Sequence, residues 1–208
     1  LSISQEDYPL DFPAVNHVEQ DGNRMWQAFL KTARLAIANA GESPGSIRAI
    51  SISSQSISFI PVDRNGKALM NFISWLDTRS TEEEAEVEER LDLKYIYDIT
   101  GKRASSAYTL SKLLWLKRHR PEIYDSAWKI MLPLDFLQFK LCGECVTDYT
   151  IASGTMFFDI NDCAWAKDIL QEFGLDARKL PALAPSGTFI GTLLPEVATA
   201  IGLEKGTI

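Results

Sequence analysis

Apolar residues recur at helical spacing in several stretches of the chain and alternate with polar ones in others. From Gly22 to Ala40, Met25, Phe29, Leu30, Ala33, Ala36 and Ile37 fall on one stripe, and Gly41 follows as a helix stop. Tyr108–His119 reads as a second strong helix, with Leu110, Leu113, Leu114 and Leu116 apolar and Lys112, Lys117 and Arg118 polar. Pro121 ends it or opens a short helix, and a further helix follows Pro133 and Asp135, carrying Phe136, Leu137, Phe139 and Leu141. Thr81 caps a helix whose first turn holds Glu82, Glu83 and Glu84, where the helix dipole favours negative charge. Trp165–Phe173 ends at Gly174 and Pro195–Ile201 at Gly202.

Strands are expected at residues 1–10, as an edge strand ending at Pro9, and at Ile47–Ser53, Ile57–Val62, Phe72–Trp75, Trp128–Leu132 and Met156–Ile160. Asp63-Arg64-Asn65-Gly66 is a turn in which Asn-Gly supplies positive φ. Strands and helices mixed in this way predict a layered α/β domain.

Composition narrows the function classes. The 208 residues are 46% hydrophobic and 24% charged, which suits a folded domain with a real core. Lys and Arg total 21 against 28 Asp and Glu, a net charge of −7, so the chain lacks the basic footprint of a nucleic-acid or anionic-membrane binder. Small neutral ligands depend on local geometry and stay open. No apolar run is long enough to span a membrane, and no charged leader precedes an apolar stretch. The opening Leu1-Ser2, without methionine, reads as an excerpt of a longer chain. Cys142, Cys145 and Cys163 cannot all pair within one chain, which points to a reduced, cytoplasmic compartment. Cys142-Gly-Glu-Cys145 has CxxC spacing, but His17 and His119 are distant, and the spacing is read as a helix-to-strand turn.

Phosphate cradles need close backbone approach and hence glycine. Neither GxGxxG nor GxxxxGK[ST] occurs; Gly187-Thr-Phe-Ile-Gly191 comes nearest and lacks the lysine and the following helix start. Two histidines, and no nucleophile elbow, leave little scope for a hydrolytic triad.

Several segments, in order, carry a resemblance. They are Tyr8-Pro9-Leu10 with Val18-Glu19-Gln20-Asp21 before a Trp26-containing helix; Ile50-Ser51-Ile52-Ser53-Ser54-Gln55; and Trp75-Leu76-Asp77-Thr78-Arg79. Tyr108-Thr-Leu-Ser-Lys-Leu-Leu-Trp115, Lys129–Leu137 and Thr147-Asp-Tyr-Thr-Ile-Ala-Ser-Gly-Thr155 complete the series. Together they resemble the N-terminal domain of FGGY-family carbohydrate kinases, xylulokinases most of all, over nearly the whole chain. The resemblance implies an actin-like ATPase, ribonuclease-H-like α/β fold, with a mixed sheet flanked by helices. It implies that residues 1–208 form the sugar-binding domain of an ATP- and Mg2+-dependent kinase phosphorylating a ketopentose, a related sugar or a polyol. The phosphate hairpin is then expected before Leu1, and the catalytic aspartate and the nucleotide domain after Ile208. The isolated piece is expected to be inactive. A homodimer is allowed, with no surface marked out for it.

The candidate substrate residues are Gln55, Ser56, Ile57, Trp75, Asp77, Arg79 and Tyr108. Gln55 either touches substrate or braces a turn; Trp75 either lines the cleft or belongs to the core. Asp77 and Arg79 either hold a sugar hydroxyl or pair with each other, and Tyr108 either covers the sugar or starts the helix. Asp148 has the chemistry of a general base but is read as structural. Xylulokinases commonly carry Gln-Met-His-Gly where this chain has Gln55-Ser56-Ile57-Ser58. Isoleucine makes no hydrogen bond, so D-xylulose itself is placed in doubt.

Overall fold

Asp21 starts the first long helix because its carboxylate accepts the amides of Asn23 and Arg24. That helix, α1, runs Gly22–Asn39, and Gly41 takes φ +70° just beyond its end. The computed structural model describes residues 1–204 and 206–208. Phe29, Leu30, Ala33 and Ile37 of α1 pack on Val197, Ala198 and Ile201 of a late helix, α9 (Pro195–Ile201).

Four short strands form one antiparallel array. Glu19–Gln20 (β1) pairs with Phe72–Ile73 (β3), and an isolated bridge from Ile73 to Phe59 links these to Ile60–Val62 (β2). Val62 to Ile60 then pairs with Lys129–Met131 (β4). Val146–Asp148 (β5) and Ala182–Ala184 (β8) form a parallel pair, and Phe158–Asp159 (β6) and Ala164–Trp165 (β7) a small hairpin. Helices α2 (Thr81–Arg90), α3 (Leu93–Thr100), α4 (Thr109–His119), α5 (Pro121–Ser126), α6 (Pro133–Cys142), α7 (Tyr149–Ala152) and α8 (Lys167–Glu172) surround these strands. The main core gathers around α4, whose Leu110, Leu113 and Leu116 meet Phe59, Ile73, Val87 and Phe157.

Two expected strands do not form ladders. Residues 1–10 pair with nothing described, and only Asp11 bridges to Glu19. Residues 47–53 make backbone bonds at one end alone, where the Ile50 N–H donates to the Ile208 carbonyl and the Ile208 N–H to that of Arg48. Alternation makes a segment extended; a ladder also needs a neighbour to take its N–H and C=O groups. Two helix starts also move, and one side chain is misplaced. Ser80, not Thr81, stands at the start of α2, and its hydroxyl donates to the Ser106 carbonyl instead of capping. Trp165 pairs with Phe158, which delays α8 to Lys167. Lys112, expected on the polar face of α4, is wholly buried. The CxxC segment does lie in the turn between α6 and β5.

The Asp63–Gly66 turn forms as expected. The Asp63 carboxylate accepts the Asn65 and Lys67 amides, and Gly66 sits at φ +70° against Phe139. A Cβ on Gly66 would lie 2.3 Å from a ring carbon of Phe139. Gly66→Ala therefore combines left-handed strain with overpacking and is expected to destabilise by about 2–4 kcal/mol. A urea midpoint within error of the parent would refute this.

Candidate functional site

The loop after residue 53 turns sharply at Ile57. Ile57 has φ +74°, a conformation that β-branched side chains rarely adopt, and the Ser58 N–H donates back to the Ser56 carbonyl at 2.9 Å. This is a γ-turn of the strained, positive-φ kind. The strain persists because the surroundings hold it: the Thr109 hydroxyl, at the first residue of α4, donates to the Ile57 carbonyl at 2.8 Å. Gly154 completes the arrangement. It packs against the γ-turn, where a Cβ would stand at ordinary contact distance, 3.4 Å, from both Ile57 and Ser56.

A second turn stands beside it. After β3, the Ser74 carbonyl accepts the Asp77 N–H at 3.1 Å, which puts Trp75 and Leu76 at the tip. The Trp75 N–H donates to the buried Ser58 hydroxyl at 2.9 Å, tying this turn to the γ-turn. From below, the Lys112 ammonium donates to the Ser74 carbonyl at 2.6 Å. Trp75 itself is 48% exposed, so its indole is outside the core.

Asp77 and Arg79 lie under the turn and face each other. Both Asp77 oxygens accept from Arg79 at 2.8–3.0 Å, one also accepts the Val18 amide at 2.6 Å, and Arg79 reaches Glu19 at 2.8 Å. The guanidinium lies over the Trp115 ring, 4.7 Å from its centroid. Of the alternatives for this pair, the geometry is that of mutual pairing. Gln55 lines a separate cavity of about 330 Å³, which neither Trp75 nor Ile57 lines, and its side-chain amide donates to Gln20 at 2.6 Å. Tyr108 occupies the residue before α4, half-buried, with Lys102 over its ring.

The fold thus brings Ser56, Ile57 and Trp75 to one place, with Tyr108 adjoining Thr109. Thr109, Lys112, Ser58 and Gly154, which frame that place, were absent from the sequence-based set. Of these, only the glycine stood out locally; Lys112 falls among the polar positions of its helix. The wall offers an aromatic face, a hydroxyl and backbone carbonyls, without a net charge or a general base. Such a surface suits the mixed C–H and O–H faces of a neutral polyol.

A larger cavity, about 400 Å³, lies between residues 49–52, α6, β5 and the 184–191 loop. Asp148 lines it, and burial pushes its carboxyl up. Bonds from the Ile151 amide and the Thr150 and Ser186 hydroxyls outweigh that and hold it below the usual range. It is the cap of α7, accepting as a fixed anion would. The Gly187–Gly191 run joins no helix start until Pro195, so it lacks the helix N-terminus of a phosphate cradle.

Known proteins are similar to this chain in sequence and fold. The model of the FGGY family of carbohydrate kinases, N-terminal domain, matches residues 1–208. A xylulose kinase of Bacillus subtilis (strain 168) is 31% identical over 200 residues, covering 96% of this chain and 40% of the relative. A glycerol kinase of Thermococcus onnurineus (strain NA1) is 32% identical over 204 residues, covering 96% and 41%. The crystal structure of a ligand-bound xylulose kinase from Lactobacillus acidophilus superposes with a TM-score of 0.90 at 27% identity, over 97% of this chain and 41% of that one. The chain therefore spans about 40% of the length of the relatives it matches. With the match unbroken from Leu1 to Ile208 and the fold shared with solved sugar kinases, the chain belongs to the FGGY family of carbohydrate kinases, as its N-terminal domain.

Proposed function

We propose that this domain supplies the sugar-binding wall of an ATP-dependent kinase that phosphorylates a hydroxyl of a ketopentose or related polyol. One observation carries the reading: the solvent-facing Trp75 indole is held beside Ser56 and the Ile57 γ-turn by a buried frame. An aromatic face open to solvent beside a hydroxyl suits the C–H face of a sugar, which stacks on it. In this reading Ser56, Ile57, Trp75 and Tyr108 face the substrate, while Asp77 and Arg79 hold the mount. Gln55 braces Gln20. Mg·ATP, the phosphate hairpin and the catalytic base belong to parts of the longer chain outside these 208 residues. There, transfer is mainly positioning and charge stabilisation. The free Cys142, Cys145 and Cys163 support a reduced, cytoplasmic setting. Among the described residues no helix is long and apolar enough to cross a membrane.

Ile57 favours a preference other than D-xylulose, because it removes a polar contact that xylulokinases commonly make. The test is an ADP-release assay on the longer chain with Mg·ATP and D-xylulose, D-ribulose, L-ribulose, gluconate, glycerol and erythritol. Turnover of one or more, with none by the isolated domain, is expected. Folded longer chain that turns over none of them would leave a non-catalytic sugar binder as the better reading. Turnover by the isolated domain would contradict the assignment of base and nucleotide to other parts.

A further inference from the structure

Helix α4 touches both turns of the candidate wall, and it does so with two side chains three residues apart. Thr109 and Lys112 lie on one face of the helix at this spacing. Thr109 donates to the carbonyl of Ile57, in the γ-turn, and Lys112 to the carbonyl of Ser74, in the turn that carries Trp75. Ser58 then links the two turns directly through the Trp75 amide. We propose that Thr109 and Lys112 are positioning residues that fix the separation of the two halves of the sugar wall; this rests on the reading of the wall given above.

Lys112 is the more telling of the two. It is fully buried, and a buried ammonium loses several kcal/mol of hydration that one carbonyl does not restore. Burial pulls it down to about 8, with Asp77 opposing and Arg79 assisting that fall. A methionine would fill the same tunnel without that cost. What it would not do is hold the Ser74 carbonyl, which also accepts the Asp77 amide and so closes the turn. A cation kept at a cost, and aimed at the hinge of an exposed aromatic, acts on geometry more than on stability. Thr109 does the same for the strained carbonyl of Ile57, which has no better reason to stay in the left-handed region.

The test uses the longer chain, with D-xylulose, or the panel sugar turned over fastest, as probe. Loss of one charge-assisted hydrogen bond predicts that Lys112→Met raises the sugar KM about tenfold and leaves the ATP KM within about twofold, with no drop in melting temperature. Thr109→Val is expected to behave likewise, while Thr109→Ser, which keeps the hydroxyl, restores the parent value. In a Trp75→Ala background Lys112→Met should add no more than about twofold, because the group it places is gone. An effect of Lys112→Met that persists at full size in that background overturns the proposal, as does an unchanged sugar KM in both Lys112→Met and Thr109→Val. Should Lys112→Met fail to fold, the Thr109→Val and Thr109→Ser pair decides alone. If Trp75→Ala itself leaves the sugar KM unmoved, the wall reading fails and this inference with it. If Trp75→Ala raises the KM and the α4 variants do not, only this inference fails.

Discussion

Asp77→Ala is expected to destabilise the domain by about 3–5 kcal/mol, the range for stranding a buried partner of an ion pair. The side chains of Asp77 and Arg79 are 0% and 2% exposed. Removing the carboxylate leaves Arg79 facing Glu19 alone, unpairs the Val18 amide and withdraws the counter-charge nearest to Lys112. The loss is then a large fraction of the roughly 5–15 kcal/mol that a domain of ordinary stability holds. Arg178–Asp176 makes a useful contrast. Its geometry is equally good, at 2.9 Å, but Arg178 is 91% exposed, and exposed pairs contribute little. Asp176→Ala should therefore shift the urea midpoint far less than Asp77→Ala. Asp77→Asn, which keeps a hydrogen-bond acceptor, should fall between. The alternative, that Asp77 holds a sugar hydroxyl, makes the opposite prediction: near-parent stability with weakened sugar binding. That pattern would move Asp77 from the mount to the wall.

Helices that carry their own signals were legible in the sequence. Asp21 and Gly41 bracket α1, Gly202 closes α9, and the leucines of α4 mark its buried side. Helix α3 was missed although Asp92 caps it and Gly101 ends it at φ +67°, because Leu93–Thr100 spans too few turns for a period to stand out. Strands β2, β3, β4 and β6 were legible as extended chain but not as ladders, since pairing depends on residues distant in sequence. Strands β1, β5, β7 and β8, two or three residues each, were too short to show a period. The parallel β5·β8 pair joins segments whose link no local pattern records. Lys112 was misplaced for a different reason: a lysine on a helix reads as solvent-facing, and only tertiary packing shows that its stem runs through the core to Ser74. Segment order pointed to Ser56, Ile57 and Trp75, the proposed wall, and to Gln55, which braces Gln20. It could not separate the residues that face outward from Asp77 and Arg79, which lie two and four positions further on and point the other way.

Ile57→His is expected to raise kcat/KM for D-xylulose, relative to the best other sugar of the panel, by about tenfold or more in the longer chain. Two effects act in the same direction. Histidine tolerates the left-handed region better than a β-branched residue, so the γ-turn at φ +74° loses strain, and a gain of about 0.5–1 kcal/mol in stability should accompany the change. The ring also restores a hydrogen-bonding group beside Ser56 and Gly154, where isoleucine presents only carbon. A hydroxyl facing Ile57 has no partner there, which costs most in a site that excludes water. Ile57→Asn separates the two effects, since it relieves the backbone equally but reaches less far. A rise in melting temperature for both variants, with the sugar ratio changed by histidine alone, would show that residue 57 faces the substrate. A rise in melting temperature with no change in any sugar's kcat/KM would show that Ile57 is only a strained corner. The sugar would then have to be read from Trp75 and Ser56 alone.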